Sequence, residues 1–248
     1  MSFAKLPLAQ PPWKACGKKL ESLTRKALYQ FRMLNNVDNI ALALSGGKDS
    51  LSLLFMLHAI SGKGFPYFKI HAINISGKFS CGAQINNSYL STICSALNIS
   101  YNSIPSPYDS NNPECYSCSR VRRRLLFQTA KNLNCNTIAF GHHKDDLAQT
   151  TLMNLLHKGE FAGMLPNIHM IRFNINIIRP LIFVPEDLIL IFAKEYNFAR
   201  IACRCPVVSL RKKTKETLNQ LSQIFPNATN NLAHAALLYG SKKAEKIV

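Results

Sequence analysis

The sequence predicts an α/β protein built on a doubly wound parallel sheet, with helical additions at its N- and C-terminal ends. Three observations carry this. Apolar runs of strand length alternate with longer amphipathic runs in the order β-α-β-α-β, an order that calls for parallel strands joined by crossover helices. The first strand runs directly into a tight turn and a helix start, Ser45-Gly46-Gly47-Lys48-Asp49-Ser50. Basic helical segments flank the alternation, which gives expected units of 1–36, 37–200 and a cysteine-bearing tail, 201–248.

In chain order, residues 14–38 place Leu20, Leu23, Ala27, Leu28, Phe31 and Leu34 at helical spacing, with Lys18, Lys19, Arg25 and Lys26 on the wet side. Ile40 to Leu44 is an apolar run without alternation, hence a buried strand, and Leu51 to His58 has helical spacing. Lys69 to Ile75 reads as the second strand, followed by a polar loop with Cys81, a helix from Asn86 to Leu97 and a short strand from Tyr101 to Ile104. Cys94 falls on the apolar face of that helix and reads as core. Residues 105–114, with three prolines, form an exposed loop that delivers Cys115-Tyr116-Ser117-Cys118 to a helix from Ser119 to Leu133. The strand Thr137 to Phe140 ends in Gly141-His142-His143-Lys144-Asp145-Asp146, and a helix from Leu147 to His157 follows. After a Gly/Pro turn at 158–167, Ile168 to Leu181 reads as the last strand, ending in Arg179-Pro180-Leu181. Pro185 opens a helix to Tyr196, and Arg211 to Tyr239 reads as two helices divided at Phe225-Pro226.

Composition narrows the function. With 248 residues, 47% of them hydrophobic, the chain can bury a sizeable core. Thirty Lys and Arg against 13 Asp and Glu leave a formal charge of +17, which suits a polyanion, and nucleic acid before a membrane surface. No run of 18 uncharged apolar residues appears, and the segment before Trp13, broken by Pro7, Pro11 and Pro12, does not read as a secretion signal. Eight cysteines in such a chain argue for a reducing compartment, and a cytoplasmic location is expected.

The glycine turn has a definite chemistry. Two consecutive glycines let backbone close around a ligand while the first amides of the new helix point into the turn, a setting that wants an anion. Lys48 adds a positive charge, and Ser45 and Ser50 add hydroxyl donors, so phosphate or pyrophosphate is the expected guest. Asp49 after the lysine and the short glycine spacing exclude a Walker loop. Paired carboxylates at Asp145 and Asp146 suit magnesium held against phosphate oxygens. Cys115 and Cys118 have the spacing of a metal-binding pair, and Cys203 with Cys205 supplies further thiolates, which suit either a four-cysteine zinc site or an iron-sulfur cluster.

Ser45 to Ser50 after a first strand resembles the pyrophosphatase-loop (PP-loop) ATP enzymes, of adenine nucleotide alpha hydrolase-like fold. Cys115-x-x-Cys118-Ser119-Arg120-Val121-Arg122-Arg123, Gly141-His142-His143-Lys144-Asp145-Asp146 and Gly163-Met164-Leu165-Pro166 resemble the tRNA 2-thiocytidine synthetase family within it, from about residue 37 to 240. The resemblance implies ATP and Mg2+ on residues 45–50, with Gly141, His142 and Arg179 toward the nucleotide and Lys48, Asp49, Asp145 and Asp146 in the chemistry. It implies a [4Fe-4S] cluster on Cys115, Cys118 and Cys203, with Cys205 as the alternative third ligand and zinc as the alternative occupant. The implied reaction activates C2 of an anticodon-loop cytidine with ATP and replaces its oxygen by sulfur. The implied partners are tRNA, held by Arg120, Arg122, Arg123 and Arg124 with Arg211, Lys212, Lys213 and Lys215, and a sulfur donor such as a cysteine desulfurase, with room for a homodimer. Two departures stand out: Ser76 occupies the place of the family's aspartate after the second strand, and the second cysteine pair has one intervening residue instead of two. Competing readings are another PP-loop tRNA modifier, of 2-thiouridine or lysidine type, and a zinc-stapled RNA-binding module without catalysis.

Overall fold

The computed structural model describes residues 6, 8–77, 87–108, 114–199 and 210–240. Cys81, Cys203 and Cys205 lie outside the described residues, and the description of Cys115 is confined to its backbone. The chain forms α1 (Ala15–Gln30), β1 (Asn39–Ala43), α2 (Lys48–Ile60), β2 (Lys69–Ser76), α3 (Asn87–Ala96), β3 (Ser100–Pro105), α4 (Cys115–Asn132), β4 (Thr137–Ala139), α5 (Lys144–Lys158), β5 (Asn167–Met170), β6 (Ile175–Ile178), α6 (Glu186–Glu195), α7 (Leu210–Ile224) and α8 (Ala228–Tyr239). The sheet order is β3-β2-β1-β4-β6-β5, parallel throughout except for β5, which runs antiparallel to β6.

Both faces of the sheet are covered, as its non-alternating strands require. Ile40 and Leu42 of β1 enter one core with α1, α2, α3 and α6, while Ala41 points to a second core under α4 with Leu126, Phe127 and Ala130. Helix α2 is apolar nearly all round and accordingly buries every residue from Ser50 to Leu57. Helix α1 packs on α6 and α2, and α7 and α8 pack on α5. The point at which successive crossovers go to opposite sides lies between β1 and β4, and ligands bind at the carboxyl ends of strands flanking such a point.

The expected last strand is in fact a hairpin. A short 3₁₀ turn, Ile171–Phe173, and Asn174 in the left-handed region (φ 47°) reverse the chain, so that Asn167 pairs with Ile178 and Met170 with Ile175. Helix α4 also starts earlier than expected: Glu114 is its N-cap and the Cys118 amide bonds Glu114 O at 3.0 Å, so Cys115 and Cys118 lie in its first turn instead of a preceding loop. The tail divides as expected, α7 ending at Ile224 and α8 starting at Ala228.

Phe192 of α6 ties the first core together, with ring centroids 5.7 Å from Trp13, 4.7 Å from Tyr196 and 5.7 Å from Phe198. Phe192→Ala is expected to cost about 3–5 kcal/mol in urea unfolding, as a truncated buried aromatic leaves a cavity its neighbours only partly fill.

Candidate active site

Strand ends and helix starts build the site. Leu44 extends β1 with an amide bond to Ile73 O at 2.9 Å, and Gly46 then takes φ +79°, a left-handed turn that a side chain would strain. Gly47 is the extended N-cap of α2, whose first amides have no acceptor inside the helix and carry the positive end of its dipole. Ser45 Oγ stands 3.2 Å from Ser50 Oγ and accepts the Gly47 amide at 3.4 Å, while the Ser50 hydroxyl donates to Gly47 O at 3.0 Å. These three contacts brace the turn from within.

The carboxyl end of β4 crosses this turn. A Cβ at Gly141 would lie 3.0 Å from the carbonyl carbon and oxygen of Asp49 and 3.1 Å from the Ser50 nitrogen, so a side chain there would push this backbone back by a few tenths of an ångström. The next residues enter α5, where His143 and Asp146 form a reciprocal cap.

Lys48 is charged and shared. Its Nζ lies 2.7 Å from Asp49 Oδ1 and 3.1 Å from Glu186 Oε1, and Lys215 Nζ of α7 holds the other oxygen of Glu186 at 2.7 Å. Burial alone would lower the Lys48 pKa, but Asp49 and Glu186 outweigh it and raise it. Burial alone would raise Glu186, and Lys215 and Lys48 hold it low instead. Lys215, expected to face RNA, is therefore engaged by Glu186. Arg211 turns toward Thr150 Oγ1 at 3.3 Å, and its carbonyl accepts Gln149 Nε2 at 2.5 Å.

Asp145 and Asp146 have structural partners that the sequence does not announce. Asp146 accepts the His143 amide at 3.2 Å, and Asp145 accepts the Glu186 amide at 2.8 Å. Both flank the buried His143 ring, at 3.6 Å for Asp145 and 3.4 Å for Asp146, with Asp49 at 3.8 Å. Burial alone would lower the His143 pKa, but Asp145, Asp146 and Asp49 raise it. Among the described residues no three His, Cys, Asp or Glu side chains are set to hold a metal ion.

His142 is of the opposite kind. Its ring stacks on Phe140 at 5.6 Å between centroids, and its Nδ1 is shut off from water with no hydrogen-bond partner among the described residues. Burial, reinforced by Arg179, pushes its pKa down to about 3, so the imidazole is neutral. Arg179, just past β6, bonds Pro166 O through its amide at 2.9 Å and Leu165 O through its guanidinium, yet its Nε is buried with no hydrogen-bond partner among the described residues. Burial lowers its pKa to about 10, as do Arg123 of α4 and Arg211 of α7. The first turns of α4 therefore border the same edge. Arg120, Arg123 and Arg124 are exposed there, and Arg122 is half-buried with its Nε enclosed.

Cys115 and Cys118 are one helical turn apart, on one face of α4, a spacing that fits a shared metal or cluster. Cys94 is core, its thiol pushed by burial up to about 12, and Cys16 hydrogen-bonds Glu195, with burial first among the causes that raise it to about 11. Ser76 ends β2, its hydroxyl reaching Ile104 O at 3.4 Å. A polar cleft of about 320 Å³, lined by Asn36, Asp38, Asn39 and Asn136 among others, opens at the amino end of the sheet, away from this chemistry.

A PP-loop domain family matches residues 17–201. Over 230 residues the chain is 32% identical to a tRNA-cytidine(32) 2-sulfurtransferase of Citrifermentans bemidjiense, covering 89% of this chain and 90% of that protein. The chain belongs to the tRNA-cytidine(32) 2-sulfurtransferase branch of the PP-loop family. The namesake protein of Geobacter sulfurreducens is 31% identical over 227 residues, covering 88% of each chain. The fold also matches the U34-tRNA thiolase NcsA of Methanococcus maripaludis, solved with its [4Fe-4S] cluster, at a TM-score of 0.72 and 23% identity over 89% of this chain and 77% of that one. Glu186 and His143 lie in this cluster, at Lys48 and beside Asp49 respectively, and sequence reasoning passed over both. His143 sits inside a motif already singled out, whereas Glu186 offers no signal beyond its place at a helix start after Pro185.

The shared carboxylate makes two variants move in opposite directions. Glu186→Gln releases Lys48 and removes a negative charge, so inorganic pyrophosphate is expected to bind about 3- to 10-fold more tightly by calorimetry. Lys215→Met leaves Glu186 to Lys48 alone and should weaken the same binding several-fold.

His143 has a raised folded pKa, so the stability it contributes is complete below its unfolded value of about 6.5 and is lost as pH rises through the folded value. The urea midpoint of the wild type should accordingly fall more steeply than that of His143→Gln as pH rises above about 6.5.

Proposed function

We propose that the chain is an ATP-dependent tRNA sulfurtransferase that replaces the C2 oxygen of an anticodon-loop cytidine by sulfur. The supporting observation is a shared edge: the glycine loop, the Gly141-His142 turn and the start of the cysteine-bearing helix meet there, with Arg123 of α4 bearing on Arg179. In this reading the amides of residues 46–50 and Lys48 hold the β- and γ-phosphates of ATP. Charge builds on pyrophosphate as the C2 oxygen of cytidine attacks the α-phosphorus, and the positive end of α2 lies where that charge develops. Lys48 leaves its carboxylates for the phosphates, and Asp49 and Glu186 keep it protonated until then. His142, neutral and oriented by Phe140, offers a hydrogen bond at the reacting end, and Arg179 faces the nucleotide.

Sulfur then displaces AMP from C2. A [4Fe-4S] cluster on Cys115, Cys118 and one of Cys203 or Cys205 would supply inorganic sulfur at an open iron, and zinc in the same thiolates would not. The start of α4 suits such a group, since the positive end of the helix dipole and the exposed Arg120, Arg123 and Arg124 set positive charge beside it. The sulfur enters as hydrosulfide, and where a donor such as a cysteine desulfurase brings it as persulfide, a thiol reductant supplies the two electrons that release hydrosulfide.

With anaerobically purified protein, ATP, sulfide and tRNA, nucleoside mass spectrometry is expected to show 2-thiocytidine. Lys48→Ala should lose pyrophosphate release and product by at least about 100-fold, the scale of a removed transition-state contact. Cys118→Ala should lose product and iron while still binding ATP. A zinc-only sample that forms 2-thiocytidine would remove the cluster from the reading.

A further inference from the structure

The first turn of α4 leaves an aromatic ring in solvent. Tyr116, between Cys115 and Cys118, is 71% exposed. Among the described residues its hydroxyl has no hydrogen-bond partner, and its ring packs into neither core. One turn on, the Arg120 guanidinium lies over the ring, 5.6 Å from its centroid, and holds it on the helix surface. Arg123 and Arg124, both exposed, continue this stripe one turn further, and Arg123 adjoins Arg179 at the nucleotide edge. Seven residues of helix separate Tyr116 from Arg123, about 10 Å along the axis.

We infer that Tyr116, oriented by Arg120, is a stacking platform for an unpaired base of the RNA, next to the base that reacts. An exposed ring with a π-face free for contact, set in a row of arginines, is the arrangement that single-stranded nucleic acid meets: phosphates pair with the cations and a base lies on the ring. Flat aromatic area wetted in the free protein is covered on binding, with little rotamer entropy lost because Arg120 already restricts the ring. A lipid surface fits poorly, since among the described residues the helix surface beyond Tyr116 carries Arg120, Arg123 and Arg124 and no exposed large apolar side chain. The inference deepens the sulfurtransferase reading and rests on it for the identity of the RNA.

The test uses the full chain and a tRNA anticodon stem-loop, with affinity measured across a salt series. Tyr116→Leu is expected to weaken binding about 5- to 50-fold with an unchanged salt slope, while Tyr116→Phe stays within about twofold of wild type. Arg124→Gln should instead reduce the salt slope by about one, as a lost phosphate contact does. A 2-aminopurine placed in the loop should be quenched by wild type and Tyr116→Phe and remain bright with Tyr116→Leu. Pyrophosphate binding should be the same in all of these proteins. Equal RNA affinity of Tyr116→Leu and wild type, or a changed slope in Tyr116→Leu, overturns the platform. If wild type quenches the probe through Tyr116 but forms no thiolated nucleoside in any tRNA, the platform stands and the sulfurtransferase reading falls. If wild type does not bind the stem-loop at all, both fall.

Discussion

The close passage of Gly141 over the Asp49-Ser50 peptide sets the geometry of everything else at this edge. It places the start of α5 against the start of α2, and the Asp145 bond to the Glu186 amide draws α6 to the same spot. Three positive helix ends then lie side by side, which is unfavourable unless negative charge is set among them. Each helix brings its own: Asp49 to α2, Asp145 and Asp146 to α5, Glu186 to α6. The acidic residues of the motif therefore answer a need of the fold before any need of a metal. Their capping bonds, and their contacts with His143 and Lys48, follow from that position.

What could be read along the chain was what local chemistry determines. A strand running into two glycines and a lysine can do little but turn into a helix start, and Phe225-Pro226 can hardly continue a helix. The hairpin of β5 and β6 was illegible because its reversal depends on Asn174 adopting a left-handed conformation, which asparagine tolerates without announcing. The early start of α4 was illegible for a related reason: nothing in Cys-Tyr-Ser-Cys favours loop over helix once Glu114 caps it. Glu186 joins Lys48 to Lys215 across elements far apart in sequence, and only tertiary packing brings those charges together. The single-residue spacing of Cys203 and Cys205 falls outside the described residues, so the third thiolate is carried by resemblance alone.

The charges at the edge divide into two kinds, and the division bears on selectivity. Around the loop, Lys48 already has Asp49 and Glu186, so an incoming anion must replace both. A weakly charged ion brings too little to do so, while a polyphosphate brings several oxygens to the lysine and the helix amides together. Beyond the loop, Arg123 and Arg211 both bear on Arg179, with Asp146 as the acid opposing them there, which leaves positive potential. A neutral His142 in that field adds no further cation and keeps a lone pair on one ring nitrogen, because protonating it beside Arg179 is costly. The edge thus sets dense positive charge at the α2 end and further cations, spaced apart, toward α4.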